Sequence, residues 1–265
     1  MSITPDTKTG IAELEPSAAV KLKPRRRWYL VGTPVLIAVV LLVDWLYVRS
    51  THPDANARTT LQFSYMMTKL GEHMKLTVVA GVIVLLIAIP LGILLSRKGM
   101  RVASPIVLAL ANIGQGAPAI GIIVLLAVLW KTGFEVAVVA LVIYAVLPSL
   151  RNTMVGLQQI DPALKEAGRG IGMSAAAVLF KVELPLAVPV ILAGVRTTLV
   201  LLIGVAALSS LIGAGGLGEM ISTGVQLQRY NVLVTGSVLV ACLALFVDWL
   251  AGLAERYLRP KGIKA

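Results

Sequence analysis

Apolar runs long enough to cross a lipid bilayer recur along nearly the whole chain, and that recurrence decides what it can fold into. Trp28–Val48 holds 21 residues and Met74–Ser96 holds 23. A helix of about 20 residues, rising ~1.5 Å per residue, crosses the ~30 Å hydrocarbon core. Further runs cover Val102–Trp130, Glu135–Leu150, Leu186–Ile212 and Asn231–Leu253. Hydrophobic residues make up 57% of the 265 and charged residues only 14%, beyond the ~45–50% apolar share of soluble domains. The expected fold class is an all-α polytopic membrane protein with six spans.

Charge gives the orientation. The net charge of +11 would fit a nucleic-acid binder, but the basic residues cluster at Lys21–Arg27, Arg97–Arg101 and Arg256–Lys264, each beside an apolar run. Lys and Arg kept on the cytoplasmic side produce that pattern, so nucleic acid is excluded as a partner and both termini are expected in the cytoplasm. Residues 1–27 carry Pro5, Pro16 and Pro24 without apolar periodicity and read as a disordered cytoplasmic tail. Residues 28–48 read as an N-terminal transmembrane helix. Ala55-Asn56-Ala57 offers a cleavage-like A-x-A, yet the apolar run exceeds the ~7–15 residues of a signal h-region and the site lies well past its end. An uncleaved anchor is therefore expected. Residues 49–73 form an extracytoplasmic segment, amphipathic near Leu61–Leu70, and 254–265 a basic cytoplasmic tail. Cys242 sits in an apolar run and reads as a small core residue.

The third run is interrupted. Asn112-Ile113-Gly114-Gln115-Gly116-Ala117-Pro118 places two amides, two glycines and a proline near mid-membrane depth. Such a break is tolerated where backbone is buried in protein or lines a water-filled path. Close helix packing with amides as interhelical partners and pathway lining through Asn112 and Gln115 both remain open.

Several motifs reduce to bland readings. Gly213-Ala214-Gly215-Gly216-Leu217-Gly218 matches G-x-G-x-x-G but follows a membrane span with no βαβ unit, so a tight external re-entrant turn is expected. No G-x-x-x-x-G-K-[ST] occurs, so the chain has no P-loop of its own. His52 and His73 lack ligand-spaced partners and read as solvated loop residues; neither a metal site, a catalytic group nor a cofactor is expected. Asp44 and Asp248 occupy matching contexts, Leu42–Leu46 and Phe246–Leu250, each beside a Trp near the end of its run, and read as interfacial. An ion-coupled transporter would carry a charge nearer the midplane, and none is read there.

Asp161–Pro185, DPALKEAGRGIGMSAAAVLFKVELP, is the polar exception. Two helical runs, Pro162–Arg169 and Ser174–Val182, flank a Gly170-Ile171-Gly172 break, with Pro185 expected to close the second. A helix–break–helix loop on a membrane face suits docking of a soluble partner. Glu166-Ala167-Gly168, three residues, Gly172, nine residues, then Val182-Glu183-Leu184-Pro185 resembles the EAA loop of ABC-importer permeases, E-A-A-x3-G-x9-I-x-L-P. Gly168 stands for the third Ala and Val182 for Ile. Small residues at Ala167, Gly168 and Ala175–Ala177 would permit close approach to a partner's groove, and Glu166 and Arg169 would orient it by charge.

Leu147–Thr153, Gly170–Ser174, Val182–Thr197 and Ile212–Gly218 narrow the resemblance to the glycine betaine/choline/carnitine osmoprotectant permeases, over roughly residues 72–252. That resemblance implies a methionine-permease-like five-helix core within 74–253, plus the extra N-terminal helix. It implies an ATPase-coupling loop at 161–185 carried by Glu166, Ala167, Gly168, Arg169, Gly172, Leu184 and Pro185. It also implies separate cytoplasmic ABC ATPase subunits, a second permease subunit, an extracytoplasmic substrate-binding protein and residence in the bacterial inner membrane. Trimethylammonium recognition favours aromatic cages, yet the spans hold few aromatics. Selectivity is therefore expected in the binding protein, with a weak polar path through Asn112, Gln115 and Tyr144. A permease of this architecture for another solute, such as an amino acid, and an ion-coupled secondary transporter are the alternatives.

Overall fold

A computed structural model describes residues 28–100 and 102–258. The expected tail at 1–27 and most of the basic stretch 254–265 lie outside those residues. Among the described residues every regular element is helical. Long helices are α1 (Trp28–Ser50), α3 (Phe63–Leu95), α6 (Phe134–Gln158), α9 (Leu184–Ala206) and α11 (Tyr230–Leu258); α2 (Ala55–Thr60), α4 (Ala103–Gly116), α5 (Ala119–Leu129), α7 (Pro162–Gly170), α8 (Ala175–Val178) and α10 (Gly218–Gln226) are shorter. Five helical runs are long and apolar enough to cross a membrane, and α4 with α5 makes a sixth crossing bent by 94°.

The bundle is built around α3, α6 and α9. Leu76, Val84, Leu141, Leu150 and Leu202 are buried where they meet. Apolar side chains gain little against lipid tails, so close packing and interhelical hydrogen bonds must hold helices together. Gly194 of α9 shows this: a Cβ there would lie 2.6 Å from the Asn152 Cβ and 3.0 Å from the Pro148 carbonyl. One turn on, the buried Ser149 and Thr198 hydroxyls share a 2.8 Å hydrogen bond.

The two ends differ. At one, the 162–183 segment projects as a knob beside the C-terminus of α3. At the other, the 3₁₀ turn Ala207–Ile212 receives the Gly133 N–H at Ile212 O (2.8 Å), and α10 folds back onto α11. Gly218 is obligatory there, because a Cβ would fall 1.8 Å from Ala207 O. The α4–α5 pair runs from the knob end, where the Ser104 hydroxyl donates to Leu95 O (2.7 Å), to the far end at Gly133. It is therefore a broken crossing.

Helix α1 lies along α11 at the edge of the bundle, fixed by polar contacts. The Thr235 hydroxyl donates to Asp44 (3.2 Å) and the Trp249 indole donates to Leu30 O (3.1 Å). Val31, Val35, Leu42 and Leu46 remain exposed, as a lipid-facing surface requires.

Four sequence expectations are corrected. Helix α3 starts at Phe63 rather than Met74, so the amphipathic stretch is its first turns. His73 is wholly buried rather than solvated, with Nε2 3.1 Å from Ile203 O. Pro185 does not end a helix: α8, a π-helical turn over Leu179–Glu183 and α9 form one continuous rod. Proline cannot donate to the carbonyl four residues back and crowds it; the π turn widens the backbone there, with Leu184 N–H reaching Leu179 O. Finally, Asp248 lies ten residues before the end of α11 and is ion-paired to Arg196.

Candidate functional site

The knob follows from local chemistry. Asp161 caps α7 through the Ala163 N–H (2.8 Å), and Pro162 takes the first turn, where no donor is missed. Helix α7 ends in a Schellman motif: Gly172 N–H bonds Arg169 O (2.9 Å) and Met173 N–H bonds Gly168 O (3.1 Å). Gly172 stands at φ +88°, where a side chain would be strained. The spacing from Glu166 to Gly172 is thus the spacing from the body of a short helix to its left-handed cap. Ser174 then caps α8 through the Ala177 N–H (3.2 Å).

Gly168 faces inward, against expectation. It is buried, and a Cβ would sit 3.3 Å from Val178 and 3.4 Å from the Met173 sulfur. The glycine lets the two arms pack on each other. Glu166, Ala167 and Arg169 are exposed, and among the described residues neither Glu166 nor Arg169 is ion-paired within the chain. Leu164 at 48%, Phe180 at 66% and Ile171 at 81% exposure add an apolar surface. Sequence reading missed these three, although Ile171 within Gly-Ile-Gly was a visible signal: an apolar residue at the tip of a turn has no core to enter.

The base of the knob is held by charge. Glu183, 4% exposed, sits in the π turn with Arg97 Nη1 at 2.9 Å from one carboxylate oxygen and 3.2 Å from the other. Behind α7 a cavity of about 340 Å³ is lined by Arg97, Lys165, Glu166, Arg169 and Glu183. Leu184 and Pro185 lie above it, half-buried in the rod.

Gly114 packs α4 on α6, with a Cβ only 3.1 Å from Ile143 O, which sets the Asn112–Gln115 stretch against the turn of α6 that carries Tyr144. Asn112 is exposed and its amide donates to Leu108 O (2.7 Å); Gln115 and Tyr144 are half-buried. Pro148, inside α6, cannot donate to the carbonyl of Tyr144. Helix α4 has no buried residue.

Among the described residues no cluster of metal-binding side chains occurs. The charge sequence reading missed is Arg196 in α9, whose Nε and Nη2 lie 2.5 and 2.6 Å from the two Asp248 oxygens.

Residues 88–260 match the family described as binding-protein-dependent transport system inner membrane component. The glycine betaine/carnitine/choline transport system permease protein OpuCB of Bacillus subtilis is 39% identical over 199 residues, covering 75% of this chain and 91% of that protein. The osmoprotectant import permease protein OsmW of Salmonella typhimurium is 37% identical, covering 76% and 94%. The inward-facing MetNI methionine ABC transporter superposes with a TM-score of 0.64 at 27% identity, covering 74% of this chain and 96% of its own. Helix α1 precedes the matched family region. The chain belongs to the binding-protein-dependent transport system inner membrane components, the permease subunits of ABC importers.

Proposed function

We propose that this chain forms the translocation path of an ATP-driven importer for small quaternary-ammonium osmoprotectants, energised through the 161–185 knob. The observation that carries the reading is the knob itself: a short, doubly capped helix with exposed Glu166, Ala167, Arg169 and Ile171 on a chain that lacks a P-loop. The solute class rests on the relatives' names, which join glycine betaine, carnitine and choline.

In this reading the knob face is cytoplasmic, because Arg97, Lys165, Arg169, Lys181 and Arg256 gather there. Each of two permease subunits seats its knob in a cytoplasmic ABC ATPase, and a binding protein delivers solute to the far face. Closure of the ATPases pushes the knobs, and the bundles rock about the path. Because α4 has no buried residue in one protomer and Asn112 is exposed with Gln115 half-buried, this break faces the second subunit in this reading and supplies polar groups to the path. Aromatic residues make up only 5% of the chain, and in this reading the binding protein selects the solute.

Uptake of labelled glycine betaine, choline, carnitine and methionine into proteoliposomes holding permease, ATPase and binding protein tests the reading. ATP-dependent uptake of one or more of the first three is expected. Uptake of methionine alone selects the amino-acid alternative, and uptake by the permease without ATPase selects ion coupling. Asn112→Ala with Gln115→Ala is expected to slow that uptake; unchanged transport removes both from the path.

A further inference from the structure

We propose that Arg196 and Asp248 are positioning residues that carry knob movement from α9 into α11; this rests on the reading that the knob receives the ATPase. The rod from Ala175 to Ala206 is one continuous helical body, so displacement of its lower arm displaces its whole length. It is gripped twice. Glu183 at its base binds Arg97 of α3, and Arg196 higher up binds Asp248 of α11. Thirteen residues of helix separate the grips, about 20 Å of rise, and place them on nearly opposite sides of the rod.

A lever held at two points on opposite sides moves two neighbours together. The second grip is suited to that task. Two N–H groups of one guanidinium meet the two oxygens of one carboxylate, a planar fork that fixes rotation as well as distance. Apolar contacts between α9 and α11 set their spacing but are less directional than this fork. Charge so far along an apolar helix is costly, and an apolar pair of similar volume would often be as stable. The charged pair is therefore expected to contribute to registration between helices rather than to folding. From α11 the movement continues outward: Trp249, adjacent to Asp248, donates to Leu30 O of α1, which gives the accessory helix a mechanical connection.

The test measures solute transported per ATP hydrolysed by the complete reconstituted assembly. In Arg196→Met with Asp248→Leu, assembly and binding-protein-stimulated ATPase are expected to persist while uptake per ATP falls about tenfold. The exchanged pair, Arg196→Asp with Asp248→Arg, is expected to recover most of it. Arg196→Lys, which keeps the charge but loses the fork, should fall between. Normal uptake per ATP in the apolar pair overturns the proposal, as does an equal fall in uptake and hydrolysis, which marks a purely structural role. If the apolar pair does not assemble, Arg196→Lys decides: lowered uptake per ATP supports the grip and a normal value contradicts it. A wild-type assembly with no ATP-driven uptake would instead sink the functional reading.

Discussion

The two ends of the bundle are held in opposite ways. At the far end, Lys69 lies 2.6 Å from Glu219 and 3.0 Å from Glu72, and Glu72 also accepts the Gly216 N–H (2.9 Å). Arg229–Asp54 and Lys131–Glu135 add further pairs. These contacts tie α3 to the glycine-rich turn, the α10–α11 turn to α2, and the start of α6 to the loop before it. At the knob end, the ion pair Arg97–Glu183 holds the base of a segment with exposed Glu166, Arg169 and Ile171, where neither charge reaches an ion-pairing partner among the described residues. The far end is laced by charge within the chain, whereas the knob presents exposed charged and apolar side chains, as the proposed docking to an ATPase requires. Local stability is distributed in the same way in other proteins, with moving parts drawn from the weakly held end.

The largest effect is expected at the knob cap. Gly172→Val forces a β-branched residue into φ +88°, where L-residues pay about 1–2 kcal/mol and bulky ones more. The Schellman turn must then reshape and the exposed face of α7 tilts. Uptake is expected to fall at least about tenfold while insertion persists, and Glu166→Lys should act likewise through reversed charge. Membrane fractionation alongside uptake checks this. Normal transport in either variant removes the knob from the coupling account.

A smaller effect is expected at the far end. Lys69→Ala leaves Glu72 and Glu219 without their shared cation, but both carboxylates are more than a third exposed. The loss is on the order of 1 kcal/mol, read as a modestly lower melting temperature with uptake per ATP unchanged. Uncoupling in this variant would show that the lacing takes part in transport and would erase the contrast between the ends.

Much of this arrangement was legible in the sequence, and the failures share a cause. Apolar run length places the crossings, the Gly-Pro cluster marks the break that bends by 94°, and the Glu166-to-Gly172 spacing locates a cap that is fixed by local bonds. These are short-range features, so the residues that make them are neighbours in the chain. Pro185 was misread because its usual role as a helix terminator was set against a π turn that only the surrounding packing stabilises. His73 looked solvated because its burial depends on Gly216 and Ile203, more than a hundred residues away. Arg196 stands in apolar sequence with no nearby acid; its partner is 52 residues on, and no local period connects them. The exposed face of α4 was unreadable for a different reason: its neighbour is expected to be another subunit.

If energy enters at the knob, the ATPase must touch its tip. A photo-crosslinker placed at Ile171, the most exposed apolar residue of the turn, tests it in the purified assembly of permease, ATPase and binding protein. Crosslinks to the ATPase are expected in every nucleotide state, with none to the binding protein, and the crosslink is lost in Gly172→Val. Crosslinks to the binding protein, or none to the ATPase while a probe at the far-end residue Gln228 captures it, would contradict the account.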